Sequence, residues 1–208
     1  MPRTESAFQQ VRDASRRKIL DGALRAFAAK GSDATMADVA GEAGVSQGLA
    51  YRYFPSKEAI VSELVHEVTD SGGGFEERVK NVRGTAAERL GTLLANMLEA
   101  LRQKPEYPQF LNQVLRDERV REELRAAVAK NGRAVTSTIR RLIVEAQAGG
   151  DVAADDPDQL VAALLAYVDG LLVRMTDPRT IESRKNFPDP KIVLRMLKPD
   201  AEKGRDSK

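Results

Sequence analysis

The stretch that decides the fold runs from Thr35 to Lys57 and has the sequence TMADVAGEAGVSQGLAYRYFPSK. Thr35 precedes a short segment whose apolar residues recur at helical spacing, and Ser46 can cap a second segment that reaches about Phe54. Gly44 separates the two segments, at a place where a left-handed backbone is often required and glycine adopts it at least cost. Two short helices joined by a tight turn are a helix-turn-helix candidate.

The helix before this stretch supplies a packing surface for it. Residues 14–30 carry Ile19, Ala23, Ala26 and Phe27 at helical spacing, and Lys30-Gly31 ends the pattern. A fourth helix, capped by Ser56 and covering about 57–70, follows the pair. The apolar face expected to pack against the first helix consists of Val39, Ala40, Ala43, Val45, Ala50 and Phe54.

The outward face of the third helix is polar and rich in hydrogen-bond donors. Gln can pair with adenine through two hydrogen bonds, and Arg can pair with guanine in the same way. Tyr and Ser hydroxyls, Lys57 and the amides at helix starts suit phosphate oxygens. This face therefore predicts contact with duplex DNA, although Tyr51 and Tyr53 are also compatible with ordinary half-buried aromatics and Gln47 with a plain surface residue. Its residues are Ser46, Gln47, Gly48, Tyr51, Arg52 and Tyr53.

The charge distribution points the same way. Residues 1–57 hold nine basic and six acidic side chains, whereas the remainder holds 24 basic and 25 acidic ones. The basic excess lies mostly at Arg12 and in Arg16-Arg17-Lys18, on an arm that leads into the first helix. Such an arm is expected to follow the phosphate backbone or to enter a minor groove.

The rest of the chain is also helical in pattern, so we predict an all-α fold of about nine helices. The further helices are expected at about 85–103, 108–116, 118–148, 157–176 and 189–197. Gly72-Gly73-Gly74 is interpreted as a flexible joint between two halves. The predicted layout is a flexible N-terminal arm at 1–13, a helix-turn-helix domain at 14–70, a helical bundle at 75–198 and a disordered tail at 199–208.

Composition argues against several other classes of protein. The 208 residues contain no cysteine and one histidine, His66. A thiolate metal site and a cysteine nucleophile are thereby excluded, and a Ser–His pair is disfavoured. No stretch approaches the roughly 18 consecutive apolar residues of a membrane span. We therefore expect a cytoplasmic protein with no catalytic residue, no metal, no cofactor and no membrane partner.

The segment from about Arg17 to Leu64, a quarter of the chain, resembles the DNA-binding domain of TetR-type transcriptional regulators. The resemblance is carried by Ile19-Leu20, Ala26-Phe27, Gly31, Asp38-Val39-Ala40, Ala43-Gly44-Val45-Ser46, Tyr51-Arg52-Tyr53-Phe54 and Ser56-Lys57-Glu58. It implies that an N-terminal three-helix DNA-binding domain is joined by the fourth helix to a C-terminal bundle. Leu49 and Ala50 depart from the common pattern, which has a small polar residue and a larger aliphatic at these positions.

The resemblance also implies a role for each matching residue. Thr35 would cap the second helix and touch a phosphate, while Gln47 and Gly48 would reach base edges. Tyr51 and Tyr53 would hold phosphates or sugars, and Lys57 would grip a phosphate from the start of the fourth helix. Arg52 points outward, toward a base or a phosphate.

The resemblance further implies a homodimer on a palindromic double-stranded operator. The last two long helices would pair with those of a second copy, although the same residues are equally typical of a monomer core. The residues expected at this interface are Leu160, Leu164, Leu171, Leu172, Ile192, Val193 and Leu197.

A pocket for a small-molecule effector is implied inside the C-terminal bundle. Its candidate residues are nearly all apolar, which favours a hydrophobic or amphipathic effector, but they are also typical of plain core. The effector would shift the spacing of the two recognition helices, with the fourth helix as the lever. Repression is the implied role, with activation as its alternative. The candidates are Leu94, Met97, Leu101, Phe110, Val114, Ile139 and Tyr167.

Two alternatives come from other classes of protein. One is an all-helical enzyme or small-molecule carrier without DNA function, which no paired carboxylates, triad or metal cluster in the sequence supports. The other is a scaffold that keeps the fold for protein contacts. DNA binding that weakens with salt would favour the regulator over the first alternative. A loss of binding in Tyr51→Ala or Lys57→Ala would favour it over the second.

Overall fold

The computed structural model describes residues 3–69, 79, 82–176 and 188–199. Within these ranges the chain forms nine α-helices and one 3-10 turn, and no strand occurs. The prediction of an all-α fold is confirmed. The glycine triplet at 72–74 and the tail from 200 onward lie outside the described residues.

Each predicted helix is present, and apart from the start of the first helix its ends shift by a few residues. The α-helices are α1 (Arg3–Lys30), α2 (Met36–Ala43), α3 (Gln47–Tyr53), α4 (Lys57–Thr69), α5 (Ala86–Gln103), α6 (Glu106–Arg116), α7 (Glu122–Ala148), α8 (Pro157–Thr176) and α9 (Pro190–Met196), and the 3-10 turn is Gly31–Asp33. Helix α6 begins two residues earlier than expected, because Pro108 in its first turn lacks only an amide that has no helical partner there.

The largest difference from the sequence prediction is the start of α1. We expected a flexible arm up to residue 13, but the helix already begins at Arg3. Phe8 and Val11 in this extension are exposed. This part of the helix therefore packs against no core and shows no apolar periodicity in the sequence. The apolar periodicity starts only at Ile19, where α1 enters the core.

The described residues pack as two compact units. The first contains α1 to α4, α6 and the beginning of α7, up to Ala129. The second contains α5, the remainder of α7, α8 and α9. The sequence predicts a domain boundary between residues 70 and 75. The first unit differs from the predicted domain because it also includes α6 and the start of α7.

The core of the first unit joins the helix-turn-helix to α4 and α6. Phe27 of α1 stacks on Phe110 of α6 with ring centroids 5.7 Å apart. Tyr107 packs edge-on against Phe110, and its hydroxyl donates a 2.6 Å hydrogen bond to the carbonyl of Leu64. The buried residues of α1 to α4 in this core include Ile19, Ala23, Val39, Ala40, Ala43, Ala50, Phe54, Ile60 and Leu64.

The core of the second unit is built by α5, α7, α8 and α9. The described helices here are amphipathic, and none in the described ranges combines the length and apolarity that crossing a membrane would need. Thr138 on α7 is buried, and its hydroxyl has no hydrogen-bond partner among the described residues. Large buried residues of this core are Leu90, Leu94, Ile139, Leu142 and Ile143.

Candidate nucleic-acid interface

The helix-turn-helix is held against α1 by a close approach of two helices. A Cβ built on Gly22 would lie 2.6 Å from the backbone nitrogen of Ala43 and 2.7 Å from its Cα. Only a residue without a side chain allows this spacing, and the small Ala43 completes it. Gly22 therefore sets the distance between α1 and α2.

A reciprocal cap fixes the start of α2. The Thr35 hydroxyl accepts from the Asp38 amide at 3.2 Å, and the Asp38 carboxylate accepts from the Thr35 amide at 2.9 Å. Lys30 donates to the other oxygen of Asp38 at 2.6 Å. Lys30 first, and then the two Thr35 donors, hold the pKa of Asp38 far below its usual range. Thr35 itself is exposed, as a phosphate contact requires.

The turn between α2 and α3 has the left-handed geometry that the sequence predicts. Gly44 has φ 58° and ψ 43°. Its amide donates to the carbonyl of Gly41, and the amide of Val45 donates to the carbonyl of Ala40. Lys18 of α1 adds a 3.3 Å bond to the Gly44 carbonyl. The ends of α2 are thus satisfied without help from α3.

Helix α3 presents its polar face to solvent. The Ser46 hydroxyl caps the helix by accepting from the Leu49 amide at 3.2 Å. Ala50 is the one residue of α3 that is buried, while Leu49 and Tyr53 are half-buried. Tyr51 is 48% exposed, and no described atom lies within 4 Å of a Cβ built on Gly48. The exposed set is Ser46, Gln47, Gly48, Tyr51 and Arg52.

Lys57 is half-buried at the start of α4, and its ammonium already has one partner. Its Nζ donates to the backbone carbonyl of Ser32. This bond ties α4 to the turn before α2 and orients the side chain. An ammonium has three donors, so two remain for a phosphate.

Two of the four basic residues of the expected arm, Arg16 and Arg17, form ion pairs with α4. Arg16 pairs with Glu63, and its guanidinium lies 4.9 Å from the centre of the Phe54 ring. Arg17 pairs with Asp21 at 2.7 Å and with Glu67 at 2.8 Å. These pairs raise the pKa of both arginines and compensate their charge within the first unit. Partners some 50 residues away could not be inferred from the sequence.

A residue that the sequence analysis missed lies beside the predicted phosphate contacts. A surface concavity, here called the phosphate groove, is lined by Thr35, Tyr51, Ser32, Lys57 and Arg119 among others. The Arg119 side chain donates to Asp33 at 3.0 Å and also to the Ser32 hydroxyl. Arg119 precedes α7, 86 positions from Asp33, and no local motif marks it.

The candidate pocket residues are divided between the two units. Leu94 and Ile139 are buried in the core of the second unit, and Met97 and Tyr167 pack half-buried against it. Leu101 is buried beside Leu172 and Met175 in the same unit. Phe110 and Val114 instead belong to the core of the first unit.

Four of the seven interface candidates are buried within their own chain. Leu164, Leu172, Val193 and Leu197 fill the core of the second unit, because their side of α8 and α9 faces α5 and α7. Leu160 and Leu171 are half-buried, and Ile192 is exposed. The same two helices expose two further apolar side chains, Val173 at 66% and Met196 at 73%.

The fold and this surface define a class: an all-helical helix-turn-helix protein whose exposed helix α3 has the residue types that contact DNA. Residues 19–64 match the family model described as bacterial regulatory proteins, tetR family. Residues 86–185 match the model for the C-terminal region of BetI-type transcriptional repressors. The chain belongs to the TetR family of bacterial transcriptional regulators.

Characterised relatives agree with this assignment. The regulator BetI of Brucella canis is 34% identical over 82 residues, which are 38% of this chain and 41% of that protein. The first of the curated relatives are thus matched over about two fifths of their own length. BetI of Rhizobium meliloti is 26% identical over 166 residues, which are 77% of each chain.

Solved structures share the fold. The MbdR regulator of Azoarcus sp. CIB has a TM-score of 0.66 at 23% identity, over 88% of this chain and 94% of that one. The ketosteroid transcriptional regulator KstR2 of Mycobacterium tuberculosis has a TM-score of 0.68 at 19% identity, over 89% and 95%. At these identities the likeness concerns the fold alone.

Proposed function

We propose that this protein is a sequence-specific DNA-binding repressor that acts as a homodimer on a palindromic operator and is released by a small hydrophobic effector. The observation that carries the proposal is the exposed polar face of α3 on a capped, closely packed helix-turn-helix. We propose that it acts in the cytoplasm, where a bacterial regulator of transcription meets its DNA. The relatives named above are regulators, and we propose no catalytic role.

Helix α3 would lie in the major groove. Gln47 and Gly48 stand at its N-terminal end, where Gln47 can reach a base edge and the bare backbone of Gly48 allows close approach. Tyr51, Arg52 and Tyr53 follow one turn later. Thr35 and Lys57 lie with Tyr51 at the phosphate groove, where they suit contacts to the DNA backbone.

The first experiment selects bound duplexes from a random-sequence pool and measures their affinity at several salt concentrations. We expect a palindromic consensus and a log–log salt slope of about −0.9 for each phosphate contact. Equal affinity for all duplexes, or a flat salt response, would contradict the proposal. Placing the consensus upstream of a reporter gene then separates repression from activation.

Two variants separate base contacts from phosphate contacts. Gln47→Ala should lose about 1–3 kcal/mol on the consensus and relax the preference at one base pair. Lys57→Ala should weaken all duplexes about equally. The matched controls, Asn112→Ala and Lys130→Ala, alter exposed residues outside α3 and the phosphate groove and should leave affinity unchanged. If Gln47→Ala weakens every duplex to the same extent, Gln47 does not read a base.

The dimer would form through the exposed apolar side of α8 and α9. Val173, Ile192 and Met196 lie there, and Ala162 and Ala166 on α8 leave room for a second helix to approach. Val173→Asp should shift the sedimentation coefficient from dimer toward monomer at micromolar concentration. Leu115→Asp, at an exposed apolar residue of the first unit, is the control. An unchanged dimer in Val173→Asp would remove this face from the interface.

The effector site is proposed for the second unit, next to Leu94, Met97, Leu101, Ile139 and Tyr167. The Tyr167 hydroxyl is buried without a hydrogen-bond partner in the described part of the chain, and burial raises its pKa. A ligand that is mostly apolar with one polar acceptor would satisfy it. Mass spectrometry of small molecules extracted from the purified protein tests this, and Tyr167→Phe should weaken retention of the molecule found.

A further inference from the structure

A cavity lies wholly within the first unit. It encloses about 200 Å³ and is walled by α1, α4, α6 and the start of α7. Its floor is apolar and consists of Phe27, Val61, Phe110, Val114 and Leu124. The stacked rings of Phe27 and Phe110 form part of this floor.

The size of this cavity limits what it can hold. An engineered apolar cavity of about 150 Å³ stays dry and binds benzene. The present cavity therefore suits one aromatic ring or a short branched chain and is smaller than the roughly 300–1,000 Å³ of drug-sized sites. The aromatic floor favours a ring, because offset or edge-on ring contacts add to the gain from apolar burial.

The mouth of the cavity favours an anion. The charged residues that line the cavity are Lys57, Arg119, Arg121, Glu58 and Asp117, three basic and two acidic. Asp117 accepts through Oδ1 from the Arg119 side chain at 3.1 Å, and the Ser32 hydroxyl and Arg119 lower its pKa to about 2, while its Oδ2 is buried without a hydrogen-bond partner among the described residues.

The second carboxylate at the mouth belongs to Glu58, which is exposed. Its own backbone amide and the Ser56 hydroxyl lower the pKa of Glu58 and bind it to the start of α4. Arg121 is exposed and forms no ion pair with any described residue. Lys57 and Arg121 are thus left to meet a negative group at the mouth.

The mouth is physically continuous with the predicted DNA contacts. Ser32, Lys57, Glu58 and Arg119 line both the cavity and the phosphate groove. Lys57 thus lines both, and its ammonium donates to the Ser32 carbonyl. A carboxylate at the mouth would compete with a DNA phosphate for the same ammonium.

We propose that this cavity binds a small aromatic or branched-chain monocarboxylate, and that its occupation weakens DNA binding by engaging Lys57. The ring or branched chain lies on the Phe27–Phe110 floor, and the carboxylate meets Lys57 and Arg121. The effect on DNA binding rests on the proposed function, whereas the binding of the monocarboxylate does not.

The test of binding uses benzoate and the full chain without DNA. Isothermal titration with benzoate should saturate at one benzoate per chain, with a dissociation constant of about 1 mM or below. Benzyl alcohol, which keeps the ring but lacks the charge, should bind at least about threefold more weakly. Absence of saturation by benzoate, or equal affinity for the alcohol, overturns the proposal.

Variants locate the site. Val61→Phe and Val120→Phe fill the cavity from two different walls, and each should abolish the heat of benzoate binding while circular dichroism stays helical. Arg121→Gln should weaken benzoate about three- to fivefold, the scale of an exposed ion pair. Arg116→Gln removes an exposed charge outside the cavity and should change nothing. Binding that survives in the correctly folded filled variants places the benzoate elsewhere and overturns the proposal.

The effect of benzoate on DNA binding is tested with the consensus duplex selected from the random-sequence pool. Benzoate should lower the affinity of the natural chain for DNA and leave that of Val61→Phe unchanged. Saturable benzoate binding with unaltered DNA affinity would overturn the proposed effect on DNA binding alone. A chain that binds benzoate at this cavity but no duplex would refute the proposed function and leave the ligand site standing.

Discussion

Replacing Gly22 with alanine should destabilise the first unit, although alanine is the better helix former. In an exposed helix the exchange would gain about 1 kcal/mol. Here the new methyl group would lie 2.6 Å from the nitrogen and 2.7 Å from the Cα of Ala43, both backbone atoms. Overpacking costs about 1–3 kcal/mol, and a contact with backbone belongs at the upper end because no rotamer change relieves it. The expected net loss is about 2 kcal/mol.

Gly41→Ala is the matched control on α2. No described atom lies within 4 Å of a Cβ at this position, so the variant should gain about 0.5–1 kcal/mol. The two alanine variants should therefore differ by about 3 kcal/mol. Both variants replace a helical glycine with alanine, so the helix propensity gained is the same in each. The difference in the free energy of unfolding therefore comes from the close approach of Gly22 to Ala43.

Urea unfolding followed by tyrosine fluorescence measures this difference. The chain has no tryptophan, and three of its four tyrosines, Tyr51, Tyr53 and Tyr107, belong to the first unit. The signal thus reports mainly on the unit that carries the substitution. If Gly22→Ala proves as stable as Gly41→Ala, α1 and α2 do not pack at the spacing described, and the placement of α3 that depends on it is wrong.

Three further substitutions test separate contacts of the first unit. Gly44→Ala places a side chain at φ 58° and should cost about 1–2 kcal/mol in urea unfolding, with a larger relative loss of DNA affinity because the turn aims α3. Tyr107→Phe removes the bond to the Leu64 carbonyl and should cost about 1 kcal/mol, whereas an unchanged midpoint would show that this bond contributes nothing. Glu63→Gln should cost at most about 1 kcal/mol at pH 7, since the pair with Arg16 is partly exposed. Arg16 lowers the pKa of Glu63 below its usual 4.5, so the contribution of the carboxylate is present above that pH and is lost as the pH falls through the folded-state pKa. Unfolding curves from pH 7 to 3 should show the gap between Glu63→Gln and the natural chain closing.

The helix-turn-helix could be predicted in detail because its determinants are local. The cap at Thr35, the left-handed Gly44 and the cap at Ser46 each act within a few residues, and all three occur as predicted. The exposure of Gln47 and Tyr51 follows from the same periodicity that buries Ala50.

The features that the sequence did not reveal depend on contacts between distant residues or on their absence. The sequence does not predict the helix at residues 3–13 because apolar periodicity detects only helices that face a core, and this part of α1 exposes Phe8. The pairing of Arg17 with Glu67 joins residues 50 positions apart. Leu164 and Val193 are buried in the core rather than at a dimer interface, and the sequence does not distinguish the two because an apolar stripe has the same pattern in either place.

The shallow anchoring of α3 has a consequence for kinetics. A seven-residue helix that buries only Ala50 is marginal on its own and should open locally well below the free energy of global unfolding. Its backbone amides should therefore exchange with deuterated solvent faster than those around Ile19, and a bound duplex should slow them selectively. Such a loosely held segment can adjust to successive base pairs while the rest of its unit stays rigid, which suits a protein that must scan long stretches of duplex before it stops.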